Sequence, residues 1–334
     1  MKGQGATNVR RSDRVMVTGA AGFIGSHVVD ALLKRGNTVV AVDRRSQYAD
    51  PVAAMNLTDV AAHPALTAVT ADLATADVAK LLIGCDTVVH LAAVTGVRTS
   101  WGGRFPEYVK ANLLGTQRVA EACWAAGVRR LVVASSSSVY GARSAPSRET
   151  DSTWPVSPYG VTKLAAEQLC LAYAVRADNP TSVVVLRYFT VYGPRQRADM
   201  ALGRVLASAL TGVPFPLYGD GQQRREFTYV SDAVAATIAA TDAPVPGAVV
   251  VNVGGGTTAS MRDVIDLAGQ VTGRPVPIAA TRSQPGDALT TAADLSQARH
   301  LLDYRPKVEL RDGIQQQFDW LMDLAPHQRT AVLA

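Results

Sequence analysis

The run Val15-Met-Val-Thr-Gly-Ala-Ala-Gly-Phe-Ile-Gly25 constrains this chain more than any other stretch. Its glycines, at 19, 22 and 25, stand directly after an apolar strand-like segment and at the start of a run with helical apolar spacing that ends at Lys34-Arg-Gly36. Without side chains, a tight turn lets backbone N–H groups and the positive end of a helix approach a pyrophosphate, while the last glycine allows close packing of the helix. A second strand-like run ends in Val42-Asp43, where a carboxylate can accept hydrogen bonds from ribose hydroxyls. That favours NAD. Arg44 and Arg45 are suited to the 2′-phosphate of NADP, but Asp43 would repel that phosphate.

The same rhythm continues. Strand-like runs at Val15 to Val17, Thr38 to Asp43, Leu66 to Leu73, Thr87 to Ala93, Arg129 to Ser136 and Ser182 to Phe189 alternate with helical stretches. The pattern predicts βαβ units and a doubly wound parallel α/β sheet of the Rossmann type, its strands covered on both faces. After Phe189, connections rich in Gly, Pro and Arg predict a smaller C-terminal α/β substrate-binding lobe. Because 231–243 and 249–254 read as a helix and a strand returning to the sheet, the expected boundary is discontinuous. The cofactor domain is then 13–189 plus about 226–256, and the substrate lobe about 190–225 plus 257–325, with 1–12 and 326–334 as flexible termini.

Apolar residues make up 48% of the chain and charged residues 18%, so it should fold as a globular protein. A net charge of +5 with scattered arginines gives little support to nucleic-acid binding. No apolar run approaches a membrane span, and MKGQGATNVRRSDR lacks the core of a secretion signal, which makes the cytoplasm the expected location. Cys85, Cys123 and Cys170 form no CxxC pair and the five histidines show no ligand spacing, so no metal site is expected.

Tyr159 and Lys163 lie four residues apart in Ser157-Pro-Tyr-Gly-Val-Thr-Lys163, on one face of a predicted helix. A phenol ionises near pH ~10, but a neighbouring ammonium and a positively charged nicotinamide ring would favour the phenolate and make Tyr159 a proton acceptor. Upstream, the fifth strand runs out into Ser135-Ser-Ser-Ser-Val-Tyr-Gly141, at a carboxyl end that should line the ligand crevice.

TGAAGFIGSH, VDRR, ADL at 71–73, HLAA at 90–93, ANLLGT at 111–116, SSSSVYG, SPYGVTK, LRYFTVYGPRQ and RREFTYVSD follow one another along the chain. This ordered series resembles the extended short-chain dehydrogenase/reductases, in particular the NAD-dependent epimerase/dehydratase family, across nearly the whole sequence. The resemblance implies Tyr159 as general base, Lys163 as the residue that holds the nicotinamide ribose and tunes Tyr159, and Ser136 as a bridging hydroxyl. It implies a cofactor site built from Gly19, Gly22, Phe23, Ile24, Gly25, Asp43 and Arg44. Asp72 and Leu73 would border the adenine, Leu91, Ala92 and Ala93 would run beside the phosphates and ribose, and Asn112 and Tyr188 would touch the pocket. The implied reaction removes the proton and hydride of a sugar C4 hydroxyl and returns the hydride to the other face.

Family dehydratases carry Asp and Glu after the bridging hydroxyl, and decarboxylating relatives a Glu at the second position. Ser137 and Ser138 stand here and argue against both. The segment Phe189 to Met200 looks closest to UDP-glucuronate 4-epimerases, in which Thr replaces the Asn of UDP-glucose epimerases at the position of Thr190. Ser137, Ser138 and Thr190 are expected to hold a uronate carboxylate through hydroxyl hydrogen bonds, with Arg98 and Arg197 assisting. Arg225 matches a diphosphate-binding arginine, Tyr218 is expected beside the uracil, and Asp287 at the substrate. Gln284 departs from the arginine usual at its position. The alternatives are a UDP-glucose/UDP-galactose epimerase, a dehydratase or decarboxylase relative, and a non-catalytic NAD-sensing protein. Similar proteins imply a homodimer through the long helices around 105–127 and 157–178.

Overall fold

The computed structural model describes residues 13–143, 146–245, 247–282 and 290–333. Seven strands form its main sheet: β1 Arg14–Thr18, β2 Thr38–Asp43, β3 Leu66–Thr70, β4 Thr87–His90, β5 Arg130–Ser136, β6 Ser182–Tyr188 and β7 Ala248–Val253. They are ordered β7-β6-β5-β4-β1-β2-β3, and each neighbouring pair is parallel. The chain steps outward from β1 to β3 and then crosses back to β4 on the other side of β1. Such a reversal opens a crevice beyond the carboxyl ends of the strands.

Strand pleating divides the apolar residues between two cores. Val15 and Val17, Val39 and Ala41, and Val184 and Leu186 enter one core, while Met16, Val40, Val42, Val183 and Val185 enter the other. Successive side chains point to opposite faces of a strand, so a run apolar at every position needs cover on both sides. The helices Phe23–Lys34 and Val230–Asp242 cover the first face, and Gly115–Ala125 and Pro158–Ala174 the second. Val28, Val29, Leu32 and Leu33 make the buried stripe of the first helix.

β3 stops at Thr70 and β4 at His90, short of the Leu73 and Ala93 ends read from apolar content. Asp72 Oδ1 accepts from Ala74 N at 3.0 Å and turns the chain after β3. Beyond β4 the backbone bends across the glycine turn. The segments after β6 carry the smaller elements: the helix Ala201–Thr211, a parallel pair of Phe215–Tyr218 with Ile278–Thr281, and a three-stranded sheet of Thr258–Ser260, Arg224–Glu226 and Thr290–Thr291. The helices Met261–Thr272, Ser296–Leu302 and Leu310–Asp323 complete them. The chain re-enters the main sheet as β7 before the last of these elements. Residues from 326, expected as a flexible terminus, form the helix Pro326–Leu333, whose Val332 is buried; 1–12 lie outside the described residues.

No helix among the described residues is long and apolar enough to cross a membrane.

Candidate active site

Each glycine of the turn is required by a contact. Gly19 has φ +67°, and a Cβ there would lie 2.8 Å from Ala92 N, so the turn and the Leu91–Ala92 segment pass against each other. A Cβ on Gly25 would meet Gly19 O at 2.0 Å. Gly22 caps the helix Phe23–Lys34 without any side-chain hydrogen bond, which leaves the first N–H groups of Phe23, Ile24 and Gly25 open to an anion. Asp43, at the end of β2, accepts from Ala21 N at 3.1 Å and Arg45 N at 2.9 Å. Arg45 folds back onto Ala21 O at 2.8 Å, whereas Arg44 is exposed. A pyrophosphate on the turn and a ribose at Asp43 therefore fit the residues present.

A chain of hydrogen bonds runs from this turn toward the catalytic helix. Ala92 N donates to Thr18 Oγ1 at 3.2 Å, and Thr18 Oγ1 lies 2.7 Å from His90 Nδ1. On the other side of the ring, His90 Nε2 lies 3.0 Å from Thr116 Oγ1, which gives its proton to Asn112 O at 2.6 Å. Because Thr116 has one proton and spends it there, it must accept from His90 Nε2–H, and Nδ1 must accept from Thr18. Asn112 sits in the π-helical turn Val109–Leu114 and is nearly inaccessible. Its side chain takes Val94 N at 2.8 Å and donates to Val94 O at 2.9 Å and to Thr162 Oγ1 at 3.1 Å. Thr162 closes the path on Tyr159 O at 2.8 Å. Burial, helped by the charge of Lys163, drops the His90 pKa to about 3, so the ring is neutral.

Tyr159 and Lys163 lie in the first turns of Pro158–Ala174, whose start is fixed by Ser157 accepting from Gly160 N at 3.1 Å. Tyr159 is partly accessible as a residue, but dense packing around its hydroxyl pushes the phenol above its ordinary range. Its hydrogen bond with Ser136 and the charge of Arg197 act the other way. Arg197 is thus a cation whose field reaches the phenol; Lys163, one helical turn on, is itself buried, and burial pulls its pKa down to about 8. Ser136 also holds the turn after β5: its hydroxyl accepts from Ser138 N at 3.1 Å and contacts Ser138 Oγ at 3.1 Å. Ser137 opens the same short turn. Behind them, Ser135 Oγ donates to Glu167 Oε2 at 2.8 Å, and Glu167 pairs with Arg187 at 2.5 Å, with side chains 0% and 4% exposed.

The substrate-side residues come from separate segments. Arg98, from the loop after β4, stacks over the Tyr218 ring at 3.9 Å to its centroid. Thr190 stands just past β6, where its carbonyl accepts from Thr228 N at 2.9 Å. Arg197 contacts Thr95 and pairs with Asp199. Arg225 lies in the strand Arg224–Glu226 with Nη1 on Arg224 O at 2.9 Å. Gln284 and Asp287 lie outside the described residues. Other positions are tied elsewhere. Asp72 pairs with Lys110 at 2.7 Å, and Leu73 is buried in the second core. The Tyr188 side chain does not point to the cofactor side: it follows Val184 and Leu186 into the first core, and its hydroxyl meets Thr237 Oγ1 at 2.7 Å. Sequence reasoning missed Thr18, His90 and Thr116 as linking residues, although they stand in the TGAAGFIGSH, HLAA and ANLLGT runs.

The NAD dependent epimerase/dehydratase family model matches residues 15–254. An uncharacterized UDP-glucose epimerase, YtcB, of Bacillus subtilis is 40% identical over 316 residues, covering 93% of this chain and 98% of the relative. A UDP-glucuronate 4-epimerase of Thermodesulfobacterium geofontis is 33% identical over 311 residues, covering 91% and 95%. The solved UDP-glucuronic acid 4-epimerase of Bacillus cereus, in complex with UDP-glucuronic acid and NAD, superposes with a TM-score of 0.88 at 40% identity, covering 92% of this chain and 98% of that one. With the glycine turn, Asp43 and the Ser136–Tyr159–Lys163 set in place, the chain belongs to the NAD dependent epimerase/dehydratase family.

Proposed function

We propose that this protein epimerises a UDP-sugar at C4 with NAD as its cofactor, and that its substrate is UDP-glucuronate, converted to UDP-galacturonate. The observation that carries the reading is the surroundings of Tyr159: hydroxyl groups at Ser136, Ser137 and Ser138, and the guanidinium of Arg197 as a cation acting on the phenol. Gly19, Gly22, Phe23, Ile24 and Gly25 would hold the pyrophosphate, and Asp43 the ribose. Asp72, Leu73, Leu91, Ala92 and Ala93 would border the adenosine, with Asn112, Lys163 and the backbone of Tyr188 toward the nicotinamide. When bound, NAD supplies a hydride acceptor that takes hydrogen from C4 and returns it.

Tyr159 takes the proton of the C4 hydroxyl, and Ser136 bridges the two oxygens. The Lys163 charge, together with Arg197, offsets the cost of a phenolate in a buried place. The 4-keto sugar then turns in the pocket, and Tyr159 gives the proton back. A 4-keto uronic acid is a β-keto acid, so its carboxylate must be held throughout. Ser137, Ser138, Thr190 and Arg197 would do this. Arg98, stacked on Tyr218, would set the uracil side, and Arg225 the diphosphate. We assign the cofactor role to the main-sheet unit and the nucleotide-sugar role to the smaller lobe, and infer a homodimer through the helices Gly115–Ala125 and Pro158–Ala174.

The test is incubation with UDP-glucuronate and, separately, UDP-glucose, with the products resolved. Faster conversion of the uronate is expected, and preference for the neutral sugar would overturn the carboxylate reading. A UDP-glucose/UDP-galactose epimerase is the second reading. It is favoured by one feature, that Arg197 already has a carboxylate partner in Asp199.

A further inference from the structure

Arg197 and Asp199 sit on the connection between Tyr192 and the helix Ala201–Thr211, which is held by contacts on two sides. Arg195, with a φ of 65° uncommon for a residue other than glycine, reaches Asp30 at 2.8 Å and Asp59 at 3.3 Å. His27 Nε2 lies 2.9 Å from Pro194 O, and Gln196 Oε1 accepts from Gln317 Nε2 at 2.9 Å. These contacts fasten the connection to the helix Phe23–Lys34 on one side and to Leu310–Asp323 on the other. Arg197 points the other way, against Thr95, with its charge felt at Tyr159.

Asp199 fills both prongs of this guanidinium: Arg197 Nε donates to Oδ1 at 2.9 Å and Nη2 to Oδ2 at 2.8 Å. That fork-to-fork geometry is the one a guanidinium offers to a carboxylate ligand. The pair is open to solvent, with side chains 40% and 59% exposed, and ion pairs so exposed are weak and easily exchanged. Both residues also border a cavity of about 740 Å³ whose lining includes Phe23, Asn56 and Phe215 but not Ser136, Tyr159 or Tyr218, so Asp199 has open space beside it outside the catalytic residues.

We propose that Asp199 is an internal stand-in for the substrate carboxylate: it occupies Arg197 when the site is empty, a uronic acid must displace it, and it thereby sets uronate affinity relative to neutral sugars. The inference rests on the reading above that Arg197 takes part in holding the carboxylate. A neutral sugar makes no claim on Arg197 and leaves the pair intact. Asp199 acts on binding through Arg197 and takes no part in the proton or hydride steps.

The experiment measures calorimetric Kd values for UDP-glucuronate and UDP-glucose on the NAD-loaded protein, in a Tyr159→Phe background that stops turnover. Asp199→Asn should lower the ratio of the uronate Kd to the neutral-sugar Kd about threefold to fivefold, a change equivalent to about 0.7–1 kcal/mol. Asp199→Glu, which keeps a carboxylate, should stay within about twofold of the parent, separating charge competition from damage to the loop. A ratio that is unchanged or raised in Asp199→Asn overturns the proposal. Arg197→Gln decides the reading beneath it: a large rise in the ratio upholds Arg197 as a carboxylate ligand even where the Asp199 result fails, and an unchanged ratio removes both.

Discussion

His90 has a hydrogen-bond partner on each ring nitrogen, and the direction of both bonds is dictated by the threonines beside it. The folded protein therefore refuses a proton that the unfolded chain accepts near pH 6.5, since the folded pKa is about 3. A depressed histidine contributes stability above the unfolded value, and the contribution is lost as pH falls through the window from about 6.5 to 3. The slope expected from this one group is about 1.4 kcal/mol per pH unit inside that window. His90→Gln should flatten the pH dependence of urea unfolding between pH 6 and 4, and an unchanged slope would refute the assignment. Tyr159 carries a prediction of a different kind. Tyr159→Phe should cut turnover about 10²- to 10⁴-fold while the protein retains its NAD, read by absorbance after acid release; a non-catalytic NAD sensor would show no turnover to lose. At this scale, contiguous motifs were the legible part of the site, because Gly19, Ser136 and Tyr159 each stand in an unbroken run whose residue types mark it, although their partners Ala92, Tyr159 and Arg197 lie far along the chain. Arg98 over Tyr218 was not, since that contact joins residues brought together only by the fold. The inward turn of Tyr188 was within reach of the sequence: strand alternation puts it on the face of Val184 and Leu186.

Among the elements, the joint between β1 and its helix has the least room. Gly25 lies against Gly19 O, and Gly19 against the backbone after β4, so a methyl at either position pushes backbone on backbone. Gly25→Ala should destabilise the protein by about 1–3 kcal/mol and release the cofactor, seen as loss of co-purified NAD and a lower Tm; retention of NAD with an unchanged Tm would mean that the turn is softer than its contacts imply. The sheet was readable for the reason that its strands are buried on both faces and so carry uninterrupted apolar runs. The smaller elements were harder. Strands such as Arg224–Glu226 and Thr290–Thr291 are too short for any period to register, and their pairing is decided by long-range contacts. The π-helical turn at Val109–Leu114 has no compositional mark of its own; its significance comes from Asn112, whose side chain is fixed on Val94 and Thr162.

For the molecule as a whole, the two helices that cover the second face of the sheet have outer surfaces less polar than solvent alone would favour. Val161 of the helix Pro158–Ala174 is 48% exposed, and Phe105, Val109 and Leu114, in the turns that lead into Gly115–Ala125, are 37%, 36% and 45% exposed. Gln117 Nε2 donates to Tyr173 OH at 2.9 Å, tying the helix Gly115–Ala125 to Pro158–Ala174, so the two present themselves as one rigid unit. A twofold axis beside such a pair would bring the same residues of two copies together, and a four-helix contact of that kind would bury apolar side chains that a monomer leaves wet. A stable interface of this type covers roughly 1,200–2,000 Å² in total, which two helices of this length can supply from each copy. Light scattering at micromolar concentration should therefore give twice the chain mass of 35.2 kDa. Val109→Glu combined with Val161→Glu places carboxylates at exposed positions of that surface and should return the protein to a single chain. A wild-type protein that runs as one chain, or a double variant that still pairs, would place the contact elsewhere or remove it.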